Sequence, residues 1–540
     1  MGKASTTGRF PRAQLRLPVN NMQVISEIEA AQLLKDGWTI IPGGFGSCGH
    51  PDALTRAIAI RYKNQGEPRG LTLFFASASG DRQGRGVDAL ALPGLVDRAI
   101  GGFWGLVPAL GNMATRGIIE AHNWPQGVIS QIFRTIAAGK PGLLSRIGLE
   151  TFVDPSLDGA RLNKKGGPSL IKKISLYGEP MLFYPSLKIN CALLRGTCSD
   201  PDGNISMHKE VSYNDALAQA MAAKNSGGIV IIQVEYLVER HKILPHDVSI
   251  PGILVDYVVV ADAGDHPQTY GERYNPAFIL PGESRVLKTP ISFAEQIITR
   301  RALKEIKFLG AKVVNLGIGI PALIAQIAEE NMDGNDMTLT VESGQIGGKP
   351  ATGLSFGASY HPDALMEQSS LFDFYEGGGL DVSCLGFAEV DAFGNVNASK
   401  FDNKLYGAGG FINISQSTNI ILFCGTFTTV GLEIEPMDGG IRIVKEGTIR
   451  KFVRNVSHLT FSGSYANKMD QKIKFITERA VFSLNNGVVH LDEVAPGISI
   501  ERDIIPNMEG NFVISADCKQ MEECLFHLDF QSVNSNINPI

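Results

Sequence analysis

The stretch GWTIIPGGFGSCGHP, residues 37–51, decides the fold. It reads as a buried-looking strand that runs into a glycine-rich turn and stops at Pro51, ahead of the helical pattern PDALTRAIAIRYK. Strand, tight turn and helix together make the building unit of an α/β sheet. The unit returns as AKVVNLGIGIP, residues 311–321, with Gly319 and Pro321 in the places of Gly49 and Pro51.

Working outward, each copy is preceded by a helix that opens on a capping box. These are ISEIEAAQLL with Ser26 and Glu29, and ISFAEQIITRRALKEI with Ser292 and Glu295. Later in each copy comes a hairpin signature, DPDGNIS from Asp200 and DAFGNVN from Asp391. Each is followed by an apolar strand-like run, GGIVIIQV and NIILFCG. Matched markers in one order indicate a duplicated pair of α/β domains with mainly parallel, doubly covered sheets. The expected limits are a flexible extension over 1–21, one domain over 22–280, a second over 290–520, and a tail over 521–540. The boundary is expected in the Pro/Gly-bearing segment 274–290. Ligands of open α/β sheets bind beyond the carboxyl ends of strands, so a site shared by the halves is the expectation.

The 540 residues are too many for one core, and 44% hydrophobic against 19% charged supports well-buried domains. Net charge is −6 with no basic block, which speaks against a nucleic-acid partner. No apolar run reaches the about 18 residues of a membrane span. The seven cysteines lack CxxC spacing, which argues against zinc and disulfides and for a reducing compartment. The extension MGKASTTGRFPRAQLRLPVNN is basic and free of acids. A presequence, a tag and a natural extension all fit it, so the expected location is cytoplasmic, with an organelle matrix as the alternative.

Within this frame one carboxylate stands alone. MTLTVESGQIGGKP, residues 337–350, places Glu342 at a strand tip among small residues, without a second acid or a metal ligand beside it. A capping or ion-paired glutamate is the plain reading; a carboxylate nucleophile is the chemical one. The G-x-G-x-x-G of Gly44, Gly46 and Gly49 proposes a dinucleotide site. The second copy lacks the pattern, and LTLFFASASGDR has no acid at its strand tip to hold a ribose, so a tight turn near a ligand is the better account. Gln126 opens an amphipathic helix after HNWP, as either an exposed polar residue or an amide aimed into the site. Gly407, Gly409 and Gly410 form either a plain loop or a source of backbone N–H groups for an oxyanion. Asp381, after Gly377–Gly379, reads as a structural acceptor of loop N–H groups. The ten histidines form no metal-binding spacing and there is no Gly-x-Ser-x-Gly elbow, which leaves no metal centre or serine triad in view.

TVESGQIGG, GAGGFINISQ, NLGIGIP, GGFGSCGHPDAL, NWPQG with AAGKPG, and GLETFVDP together resemble the family I coenzyme A-transferases. The likeness is greatest to the acetate/propionate branch, in which both halves are fused, and it runs from about Met22 to FITERAVFSLNNGVVHLDEVAPGISIERDII. The resemblance implies that Glu342 is the nucleophile, that Gly410 and Gln126 hold the oxyanions, and that Gly317, Ile318 and Gly319 contact the pantetheine arm of CoA. It implies ping-pong exchange of CoA between short-chain acyl-CoA and a free carboxylate through a glutamyl-CoA thioester. CoA is then substrate and product rather than a bound cofactor, and the enzyme is a homo-oligomer, tetramer or dimer. Ser343 departs from the Ala or Asn common after this glutamate, and Gln345 and Lys349 face either substrate or solvent. An acyl-CoA hydrolase using the same glutamate is the alternative; a sugar-phosphate isomerase or effector-sensing module on a similar scaffold is the rival of another class.

Overall fold

The computed structural model describes residues 22–282, 290–330, 337–402 and 404–527. The N-terminal extension, residues 283–289 of the expected boundary segment, and residues 528–540 of the expected tail lie outside the described residues.

The first sheet has eight strands: β1 (Gln23–Val24), β2 (Thr39–Pro42), β3 (Leu71–Ser77), β4 (Val96–Phe103), β5 (Glu120–Asn123), β6 (Cys191–Arg195), β7 (Ile229–Val234) and β8 (Tyr257–Val260). Their order is β1-β8-β7-β6-β2-β3-β4-β5 and every pairing is parallel. Successive side chains of a strand point to opposite faces, and here both faces are dry. Ile41, Phe74, Leu194 and Ile232 enter one core, while Ile40, Phe75, Leu193 and Ile231 enter another. This is why the strands read as unbroken apolar runs.

The second sheet has ten strands. In chain order they are β9 (Val313–Leu316), β10 (Thr338–Val341), β11 (Gln345–Ile346), β12 (Ala364–Leu365), β13 (Val382–Gly386), β14 (Ile420–Cys424), β15 (Lys472–Ile476), β16 (Ala480–Asn485), β17 (Val488–Val494) and β18 (Val513–Gln520). Its central run β10-β9-β13-β14-β15 is all parallel and repeats the order β3-β2-β6-β7-β8 of the first sheet. The duplication is thus a repeat of topology as well as of motifs. Antiparallel strands extend both flanks of this run. One of them turns back through Asn486 and Gly487, both at positive φ, the pairing that two-residue hairpins require.

The sequence markers repeat bond for bond. Ser26 and Glu29 cap α1 (Glu27–Gln32) as Ser292 and Glu295 cap α4 (Phe293–Phe308), each pair closing a full capping box. Asp200 accepts from the N–H groups of Asp202 and Asn204 and from Asn204 Nδ2. Asp391 does the same for Phe393, Asn395 and Asn395 Nδ2. Asp381 accepts from the N–H groups of Lys312 and Val313 at 2.8 and 2.9 Å, the structural role expected of it. The expected tail needs correction, because Met521, Leu525 and Phe526 are buried in the second domain's core. They pack against α4, whose Arg300 donates to the Leu525 carbonyl at 3.0 Å.

Candidate active site

Glu342 directly follows β10, at the carboxyl edge of the second sheet. The loop beyond it is locked. Ser343 is buried, its carbonyl accepts from Ser212 Oγ, and its hydroxyl lies 2.9 Å from the Gly357 carbonyl. Gln345 is buried too, and its amide donates to the carbonyls of Val211 (2.7 Å) and Gly357 (2.8 Å). Lys349 is paired with Glu329 at 2.8 Å. Gln345 therefore faces neither substrate nor solvent; it is a strut that keeps Glu342 in place.

Two donors converge on the carboxylate. Gln126, the first residue of α3 (Gln126–Ala137), donates from Nε2 to Glu342 Oε2 at 3.1 Å. Gly410, which caps α6 (Phe411–Ser417), donates its backbone N–H to the same carboxyl group. A Cβ on Gly410 would lie 2.8 Å from Glu342 Cδ, so no larger residue allows this approach. Removal from water pushes the Glu342 carboxyl up to about 7, against the opposing pull of these two hydrogen bonds.

The donors come from different domains, and a ladder of bonds fixes them together. Gln126 N–H donates to the Gly409 carbonyl (2.9 Å), and Gly409 N–H to that of Gly102 (3.0 Å). Asn123, at the end of β5, accepts from Ala408 N–H (2.8 Å) while its Nδ2 donates to the Gly101 and Gly102 carbonyls. Gly127 N–H donates to Asn413 Oδ1 at 3.1 Å, and Asn413 Nδ2 donates to Glu376 at 2.7 Å. Nothing in the sequence marks Asn123 and Asn413 as site residues, although each lies inside a quoted motif, NWPQG and FINIS.

Glu342 opens onto a cavity of about 510 Å³, and Gly317, Ile318 and Gly319 line the same cavity. The remaining walls are mostly apolar, with Phe45, Phe103 and Phe356 among them. The glycine-rich turn of the first domain is occupied by the second: Ser47 N–H donates to the Phe356 carbonyl (2.9 Å), and a Cβ on Gly46 would lie 2.7 Å from that oxygen. The G-x-G-x-x-G pattern thus receives a polypeptide loop where a pyrophosphate would sit. Among the described residues no cluster of His, Cys, Asp and Glu has metal-binding geometry, and no helix is long and apolar enough to cross a membrane.

A lone carboxylate held by two N–H donors in an apolar cavity has the makings of a nucleophile. The family model for coenzyme A transferase matches residues 24–261. The chain is 43% identical over 515 residues to the caffeate CoA-transferase of Acetobacterium woodii, covering 93% of this chain and 97% of the relative. It is 40% identical over 521 residues to the acetate CoA-transferase YdiF of Escherichia coli O157:H7, covering 96% of each. The crystal structure of YdiF as a thioester complex with CoA superposes with a TM-score of 0.87, over 94% of this chain and 96% of that one. With such agreement along nearly its whole length, the chain belongs to the coenzyme A transferase family.

Proposed function

We propose that the chain transfers CoA between short-chain acyl-CoA thioesters and free carboxylates, with Glu342 as the nucleophile. The observation that carries this reading is the convergence of Gln126 Nε2 and Gly410 N–H on one isolated carboxyl group. Glu342 attacks the thioester carbonyl, the C–S bond breaks, and the thiolate departs with the electron pair, leaving an acyl-glutamyl anhydride. The thiolate then attacks Cδ of Glu342, expelling the first carboxylate and leaving a glutamyl-CoA thioester. A second carboxylate reverses the two steps and leaves as its CoA ester. Each carbonyl attack places charge on an oxygen, which Gln126 and Gly410 are set to receive. Such donors contribute roughly 3 kcal/mol each at comparable sites.

The turn Gly317–Gly319 sits at the cavity wall, with Ile318 54% exposed, where the pantetheine arm would enter. A thioester complex with CoA in the YdiF relative supports the covalent intermediate. The division into domains of 22–280 and 290–520 is part of the same reading, supported by two sheets that share one topology. Intact-protein mass spectrometry after incubation with acetyl-CoA tests it. A CoA adduct mapping to Glu342, discharged by acetate or propionate and absent in Glu342→Gln, is expected. An adduct that water removes as fast as the acids do would make the chain a hydrolase; no adduct with any short acyl-CoA would sink the reading.

A further inference from the structure

The cavity beside Glu342 carries the Gly317–Gly319 turn in its wall, so on the transferase reading it admits the end of the pantetheine arm together with the acyl group. At about 510 Å³ it lies in the range in which pockets enclose drug-sized ligands. Three aromatic rings from three separate segments share its wall. Phe45 and Phe356 stand 5.5 Å apart between centroids, and Phe103 and Phe356 stand 6.3 Å apart. Phe45 belongs to the glycine-rich turn, Phe103 ends β4, and Phe356 belongs to the second domain's loop, so both domains build the wall. The wall also reaches the reacting group. A Cβ on Gly409 would lie 3.5 Å from the Phe103 ring and 3.6 Å from Gln126 Oε1, which puts that ring beside the amide that holds Glu342. Apart from Glu342, Arg82 is the only charged residue of the lining among the described residues.

Resting on the transferase reading, we propose that this cavity is an acyl pocket for bulky apolar acids, aryl-bearing or branched, with Phe45, Phe103 and Phe356 setting the preference. The CoA nucleotide is too large and too charged for a mostly apolar cavity of this volume, so in this proposal it lies outside, on the side of exposed Ile318. The acyl group is the end of the substrate that Glu342 attacks, and in this proposal it packs along the rings that share the wall with that carboxylate. A methyl group gains little from such a wall. A phenyl or branched chain displaces water from it and packs ring against ring.

The test uses the full chain, with acetyl-CoA as donor and isotopically labelled acetate and 3-phenylpropanoate as competing acceptors. The expected result is formation of 3-phenylpropanoyl-CoA with a kcat/KM no lower than that for acetate. Phe103→Ala and Phe356→Ala should each lower the ratio of 3-phenylpropanoate to acetate by about tenfold or more, the scale on which apolar pockets discriminate. Label exchange into acetyl-CoA without any 3-phenylpropanoyl-CoA would overturn the proposal. So would variants that slow both acids equally while raising KM for acetyl-CoA, because the rings would then serve the pantetheine arm. If a variant fails to fold, the competition in the unmodified enzyme still decides. Absence of a Glu342 adduct with acetyl-CoA is a different failure, that of the transferase reading itself.

Discussion

Gly410 carries a consequence that a single methyl group exposes. Its N–H and the Glu342 carboxyl are close enough that a Cβ would sit 2.8 Å from Cδ and Oε2. Gly410→Ala should therefore displace the proposed nucleophile and blunt a donor together, lowering kcat about 10²–10³-fold in steady-state assays with little change in melting temperature. The pH profile offers a second test at this scale. As the proposed nucleophile Glu342 would attack only when ionised, and burial pushes its carboxyl up to about 7, so kcat/KM for acyl-CoA should rise with pH and level off above that value. The Gln126 bond favours the charged form, so Gln126→Ala should move the midpoint upward as well as slow the reaction. Small residues crowding around Glu342 and Gly410 single both out in the sequence, but their roles there rest on the resemblance to the CoA-transferases and not on the local pattern. Phe45, Phe103 and Phe356 were not legible, because nothing local to an aromatic residue reveals which distant segment it will face.

At the scale of elements, the site depends on strand ends that make no contact with the carboxylate. Asn123 bridges the end of β5 to the loop that bears Gly410, using its carbonyl and its amide. Asn123→Ala strands Ala408 N–H in a buried position. It should cost about 1–3 kcal/mol in urea titrations, with activity falling further than stability because Gly409 and Gly410 lose their register. The paired hairpins offer an internal control. Asp200 and Asp391 each satisfy three donors in their own turns, so Asp200→Ala and Asp391→Ala should destabilise by similar amounts, about 1–3 kcal/mol each. These turns were readable because Asp-x-x-Gly-Asn states which backbone groups the side chain must satisfy. The antiparallel strands flanking the second sheet are not legible in the sequence. Short pairings such as β11 with β12 are set by the neighbouring loop and not by a pattern of their own.

Across the whole molecule, Asp215 ties the halves together. It is buried and accepts from Ser130 on α3 and from Gln368 and Ser369 on α5 (Gln368–Glu376). Burial raises its carboxyl from 3.8 to about 7. The folded chain therefore binds a proton here that the unfolded chain has already released, so the stability from this group is full below 3.8 and is lost as pH rises through about 7. Asp215→Asn should flatten that part of a melting-temperature-against-pH curve, with Glu342 and the other buried carboxyls raised by burial, Glu367 and Glu376 among them, contributing to the slope that is left.

The bonds that lace Gly409 to Gly102 and Gln126 also order events in time. Gln126 precedes Glu342 by 216 residues, and the glycine loop that completes the site comes later still. A chain leaving the ribosome thus carries its amide long before its carboxylate, and the carboxylate before the loop that places the second donor. Reactivity arrives only when the second sheet has closed against the first. On the proposed mechanism Glu342 is an ordinary hydrated acid until then, and a newly made chain should take up no acyl group from a thioester.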